Sequence, residues 1–148
     1  MKSFSKARKS RGWIALIATL IGLSFGGYTY VHRAITEQVY VTNCGTVDFK
    51  PDSILKYCGD GAVGIGEITW DSWSASGARG IGKYFVNNCL PNCAEGTWDY
   101  QKVEIALSRV KTIQSKEVLT YIKVVSFDSA LLPEILQTAD EWSLEMAG

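Results

Sequence analysis

The chain has 148 residues, the size of one ordinary domain, and fifteen lysines and arginines balance fifteen aspartates and glutamates. A net charge of zero speaks against a nucleic-acid partner, which would call for a basic field. A single histidine leaves little of the usual equipment for acid-base catalysis.

The charge is unevenly placed. Lys2, Lys6, Arg8, Lys9 and Arg11 give residues 1–12 a basic head without an acid. Residues 13–31, WIALIATLIGLSFGGYTYV, carry no charge. Such a run spans roughly 28 Å as a helix, close to the hydrocarbon thickness of a bilayer. A basic head, an uncharged run and tyrosines at its far end predict a single-pass transmembrane signal anchor in the cell membrane. Its N-terminus would be cytoplasmic and the rest of the chain extracytoplasmic. Cleavage is the alternative: Ser24 and Gly26 are small enough, but no Ala-x-Ala site and no lipobox is present. Ala18, Gly22 and Gly26 are spaced by four. This stripe reads either as a contact through which two transmembrane helices form a homodimer, or as the ordinary glycine content of such a segment.

Residues 32–52 read as a stalk, with an edge strand at 38–42 and a turn at Pro51–Asp52. Residues 53–127 read as an extracytoplasmic β-domain. A first strand, 53–58, ends at Gly59-Asp60-Gly61, a tight-turn signal. Along 62–73, Val63 and Ile65 take one parity while Ile68 and Trp70 take the other, which a β-bulge near Gly66–Glu67 would reconcile. After a hairpin connection at 74–77, strand 78–87 sets Gly80, Gly82 and Tyr84 on one face. The glycines leave room for Trp70 or Trp73 across them. Residues 100–111 and 118–127 alternate as two further strands. The expected fold is mainly β: a small antiparallel β-sandwich or partly open barrel, with the N-terminal transmembrane helix and a C-terminal amphipathic helix over 128–148. Asp128 would cap that last helix. Leu132, Ile135, Leu136, Ala139 and Trp142 follow helical spacing and would dock on the sheet or bind a partner.

Outside the cytoplasm, Cys44, Cys58, Cys89 and Cys93 predict two disulfides. The local pairing, Cys44–Cys58 with Cys89–Cys93, is preferred. Its rival is Cys58–Cys89 or Cys58–Cys93, because the strand ending at Cys89 should come near the turn after Cys58. A dithiol redox centre would show Cys-x-x-Cys at a helix N-terminus, and a zinc site would show two short cysteine hooks. Neither pattern is present, so no cofactor or metal is predicted. The histidine, His32, precedes the β-domain, which leaves Ser-His-Asp and Cys-His catalysis without a base. A carboxylate pair could be drawn from Asp60, Glu67, Asp71, Glu95 and Asp99, yet nothing in their spacing pairs two of them. No catalytic residue is assigned. Trp70, Trp73, Tyr84, Trp98 and Tyr100 crowd one part of the chain. Core packing explains most of such an excess; Trp73, Trp98 and Tyr100 are the candidate binding surface for sugar, peptide or protein.

Residues 68–108, ITWDSWSASGARGIGKYFVNNCLPNCAEGTWDYQKVEIALS, carry a composite pattern. It runs through Trp70 and Trp73; Ala78, Gly80, Gly82 and Tyr84; Asn87, Cys89, Pro91, Cys93 and Gly96; and Leu107 and Ser108. This resembles a group of small exported actinobacterial proteins, mostly uncharacterised. The resemblance implies export and a β-domain and supplies no activity. The expected function is a non-catalytic envelope module that binds a cell-wall component or an envelope protein. The alternatives are an extracytoplasmic enzyme, as carboxylate hydrolase or dithiol redox protein, and a self-associating structural membrane protein.

Overall fold

The computed structural model describes residues 15–29 and 38–145. The chain divides into two units, Met1–Glu37 and Gln38–Gly148. The basic head and residues 32–37 of the expected stalk, His32 among them, lie outside the described residues.

In the first unit, residues 15–29 form a helix. At 1.5 Å per residue it is about 22 Å long, short of a hydrocarbon core of about 30 Å. Gly22, Ser24, Gly26, Gly27 and Thr29 also dilute its apolar character. Thr19 and Thr29 turn their hydroxyls back onto the carbonyls of Ala15 and Phe25, and Ser24 onto that of Leu20. No described helix is long and apolar enough to cross a membrane, which corrects the expected anchor and the single-pass localisation built on it. Ala18, Gly22 and Gly26 are exposed along this helix, and a Cβ built on either glycine meets nothing within 4 Å.

The second unit is one curled sheet. Its strands are β1 (Val39–Asn43), β2 (Thr46–Asp48), β3 (Ile54–Leu55), β4 (Val63–Ser74), β5 (Gly77–Asn87), β6 (Trp98–Ile113), β7 (Lys116–Ser126) and β8 (Ala139–Ser143). The order across the sheet is β2-β1-β7-β6-β5-β4-β3. From β3 to β7 the chain is an antiparallel meander, whereas β1 pairs β7 in parallel, with Val39 opposite Glu117 and Val41 opposite Leu119. The edge of β7 then continues with β8, from Tyr121 opposite Ser143 to Val125 opposite Ala139. Two strands from opposite ends of the unit thus share one edge. The expected fold is an antiparallel sandwich or partly open barrel; the mainly β sheet is instead one curled half-barrel with a parallel β1–β7 pair.

The curl brings β1 round to β3. The Asn43 side chain stands in for a strand partner there: its Nδ2 donates to the Ser53 carbonyl at 3.0 Å, and its Oδ1 accepts from the Leu55 N–H at 3.1 Å. Cys44 and Cys58 bond next to this contact. Closing a loop of this length contributes about 3 kcal/mol in the chain-entropy account. Asn87 N–H does reach the Ala62 carbonyl, so the end of β5 lies near the 59–61 turn as expected, but Cys58 pairs with Cys44 and Cys89 with Cys93.

The inner face is packed by Val41, Ile65, Tyr84, Val103, Ile105, Leu119, Ile122 and Val124, all buried. The ladder of β4 slips between Gly66 and Thr69, with Glu67 at φ 51°, and slips again between Trp70 and Ser72. The first slip is the expected bulge. The second lets both tryptophans turn inward, where their rings meet edge to face at 4.7 Å between centroids. A Cβ on Gly80 would come within 3.0 Å of Trp70 Cε3, so that ring does lie across the glycine.

The C-terminal segment is a correction. Its described residues, 128–145, hold no helix; they are a turn-rich stretch followed by β8. Ser129 at φ 60° and Leu136 at φ 53° break any helical run around Pro133. Asp128 caps a turn rather than a helix, accepting from Ala130 N–H, Ser126 and Gln101. The free edge of β7 beyond β1 offers backbone partners that a docked helix could not use. Leu132, wholly buried, plugs the core, and residues 140, 142 and 144 then alternate inward as strand positions do.

Candidate functional site: the outer aromatic face and its stapled loop

The motif residues between β5 and β6 converge on one loop. Asn87, buried at the end of β5, accepts from the Cys89 N–H at 2.8 Å and donates to the Cys93 carbonyl at 2.9 Å. Asn88 accepts from Leu90 N–H at 3.1 Å and Thr97 N–H at 3.0 Å, so it ties both ends of the loop. Asn92 accepts from the Ala94 and Glu95 N–H groups. The Cys89–Cys93 bond closes the centre. A Cβ at Gly96 would collide with Asn87 Oδ1, which is why the pattern needs glycine there. Side chains here satisfy backbone donors that a sheet would otherwise pair. The loop presents Leu90, 71% exposed, at its tip.

Beyond the loop, β6 points Trp98, Tyr100, Lys102 and Glu104 outward by strict alternation. Opposite them on β5, Phe85 faces Tyr100, Lys83 faces Lys102, and Ile81 faces Glu104. Phe85 lies over Gly64 and Gly66, and its ring meets Trp98 edge to face at 5.6 Å. Trp98 and Tyr100 remain 44% and 60% exposed. Beside them is an open cavity of about 350 Å³ lined by Glu67, Thr69, Ile81, Lys83, Tyr100 and Lys102. Lys83 bonds Glu67 at 2.7 Å. Lys102 has no carboxylate within ion-pair distance among the described residues, and its ammonium sits 4.2 Å from the Phe127 ring centre.

Trp98 and Tyr100 are therefore brought together on the outer face. Trp73 is not: it lies half-buried on the inner side, and its Nε1 donates to the Val39 carbonyl at 2.7 Å. Trp70 does the same to Pro51 at 2.8 Å. Phe85, Lys83, Lys102, Thr69 and Leu90 were not legible as site residues. The parity set by buried Tyr84 would have turned its neighbours Lys83 and Phe85 outward.

The acidic residues weighed for hydrolysis take separate positions. Asp60 accepts from Ala62 N–H, Glu67 pairs with Lys83, and Glu95 accepts from Asn92. Asp71 lines a second outer hollow with Arg79, Glu104 and Lys123. Among the described residues no group of three histidines, cysteines or carboxylates could hold a metal ion.

Inside the curl is a cluster that the sequence did not announce. Lys56 Nζ lies 2.8 Å from Asp140 and 3.2 Å from Glu134. The Tyr84 hydroxyl donates to the same two oxygens at 3.1 Å. Burial works to lower the Lys56 pKa, but hydrogen bonds and charges from Asp140 and Glu134 outweigh it and hold the ammonium above its usual range. Burial, then the two carboxylate charges, push the Tyr84 hydroxyl up. Every partner here is spent on another, so the cluster latches the tail to β3 and β5.

No family model, curated protein or solved structure matches this chain.

Proposed function

We propose that this chain is a non-catalytic binding module that works outside the cytoplasm and takes a cell-envelope component, a wall polymer or an envelope protein, on its outer aromatic face. One observation carries this reading. The asparagine bonds and the Cys89–Cys93 bridge hold Leu90 and the neighbouring Trp98 and Tyr100 in solvent on a braced frame. Apolar rings held rigid before a ligand arrives lose little freedom on binding. Core packing does not require those exposures. Both disulfides, with no free cysteine, favour an oxidising compartment. The motif resemblance to small exported actinobacterial proteins points the same way.

The test is co-sedimentation of the full chain with isolated bacterial envelopes. The unaltered protein should pellet with them. Trp98→Ala combined with Leu90→Ala should weaken that binding at least tenfold while the melting temperature stays close to the parent's. Undiminished binding by a folded double variant would sink the reading.

A further inference from the structure

The cavity beside Tyr100 combines three features: an exposed ring, a hydroxyl, and two lysines directly opposite each other across β5 and β6. Like charges at directly opposed positions cost stability. Only one of them is offset by a carboxylate, since Glu67 pairs Lys83 and Lys102 has none among the described residues. The residues lining the cavity therefore carry one excess positive charge next to the Tyr100 ring.

We propose that this cavity binds an acidic glycan, a polysaccharide whose sugar rings bear carboxylates. The inference rests on the reading of the outer face as a binding surface and names its ligand class. The Tyr100 ring offers an apolar plane to the C–H face of a pyranose, Thr69 and Glu67 offer hydrogen bonds to ring hydroxyls, and Lys102 with Lys83 faces the carboxylates. Charge complementarity selects this occupant over the others. A protein interface core would be depleted of charge, whereas Lys83, Lys102 and Glu67 interrupt the apolar residues here. Single-stranded nucleic acid would need a basic groove along its backbone, and this chain has zero net charge.

The experiment measures binding of the full chain to polygalacturonate and to the same polymer with its carboxylates methyl-esterified. The free acid should bind at least tenfold more tightly, and added salt should erode that preference. Lys102→Gln should reduce binding to the acid form about fivefold or more and flatten the salt dependence. Tyr100→Ala should weaken both forms. Equal binding of the two polymers, or an acid preference unchanged in Lys102→Gln, would overturn the inference. Binding of neither polymer would overturn it too. The envelope co-sedimentation then judges the parent reading separately: loss on Trp98→Ala with Leu90→Ala, abolished by prior protease treatment of the envelopes, would make the occupant a protein.

Discussion

Lys56 and Lys102 each keep company with a tyrosine on the same sheet, one inside the curl and the other on its outer face. Lys56 is 11% exposed, with a carboxylate at 2.8 Å and another at 3.2 Å, and Tyr84 donates to both. Lys102 is exposed, with its ammonium over the Phe127 ring and no carboxylate within ion-pair distance among the described residues, and Tyr100 is 60% exposed. The groups are alike and their surroundings are not. A desolvated charge must be paired or it unfolds the protein, so the inner cluster is committed to stability. A hydrated charge loses little by staying unpaired, which leaves the outer lysine free for a ligand.

The sharpest way to break this contrast is to remove the inner ammonium. Lys56→Met leaves Glu134 and Asp140 facing each other without their cation. The cluster is only partly buried, with Lys56 and Asp140 each 11% exposed and Glu134 28%, so breaking it from one side should cost about 1–3 kcal/mol, less than a fully buried pair. Urea unfolding should show a loss of that order. Adding Asp140→Asn and Glu134→Gln to Lys56→Met should recover part of it, since the coupling lies within the cluster. A loss below about 1 kcal/mol would mean that the tail latch is no more than a surface contact.

The second way is pH. Both shifts in the inner cluster are upward, from ordinary values of 10.5 for Lys56 and 10.0 for Tyr84. Above about pH 10 the unfolded chain gives up these protons while the folded chain keeps them. Stability from this source is therefore complete below that point and falls as pH rises further. Melting temperature should be level between about pH 7 and 9 and decline above about pH 10. Tyr84→Phe removes one of the two titrations, so its alkaline decline should be shallower. An identical slope in parent and variant would remove Tyr84 from the account.

What could be read from the sequence divides along the same line. Alternation in residues 78–87 and 100–111 fixed the outward placement of Tyr100, and the mixed parity around Gly66 marked the bulge. These are local signals. The inner cluster depends on residues 56, 84, 134 and 140, far apart in sequence, and no period links them. The tail shows why propensity misleads here. Leu132, Ile135, Leu136, Ala139 and Trp142 do fit a helix, but Ala139 and Trp142 pair along the open edge of β7, and edge pairing satisfies backbone groups that helical spacing does not report. The same limit applied to Trp73. A second slip in the β4 ladder turned it inward, and one bulge was visible in the sequence whereas two were not. In the uncharged run, absence of charge suggested a span, but the described helix of residues 15–29 is too short for one.

The smallest effect sharpens the comparison from the outside. Lys83 and Glu67 bond at 2.7 Å, yet their side chains are 50% and 69% exposed. A pair this hydrated contributes between roughly 0 and 1 kcal/mol. Lys83→Gln also removes the repulsion from Lys102 directly across the ladder. The two changes oppose each other, so urea unfolding should place this variant within about 0.5 kcal/mol of the parent. The same substitution lowers the cavity's net charge and frees Glu67, so it should still weaken binding of the acidic polymer. Stability unchanged and binding reduced is the signature of a charge held for a ligand. Stability reduced by as much as Lys56→Met would instead show that the outer face, too, is spent on the fold.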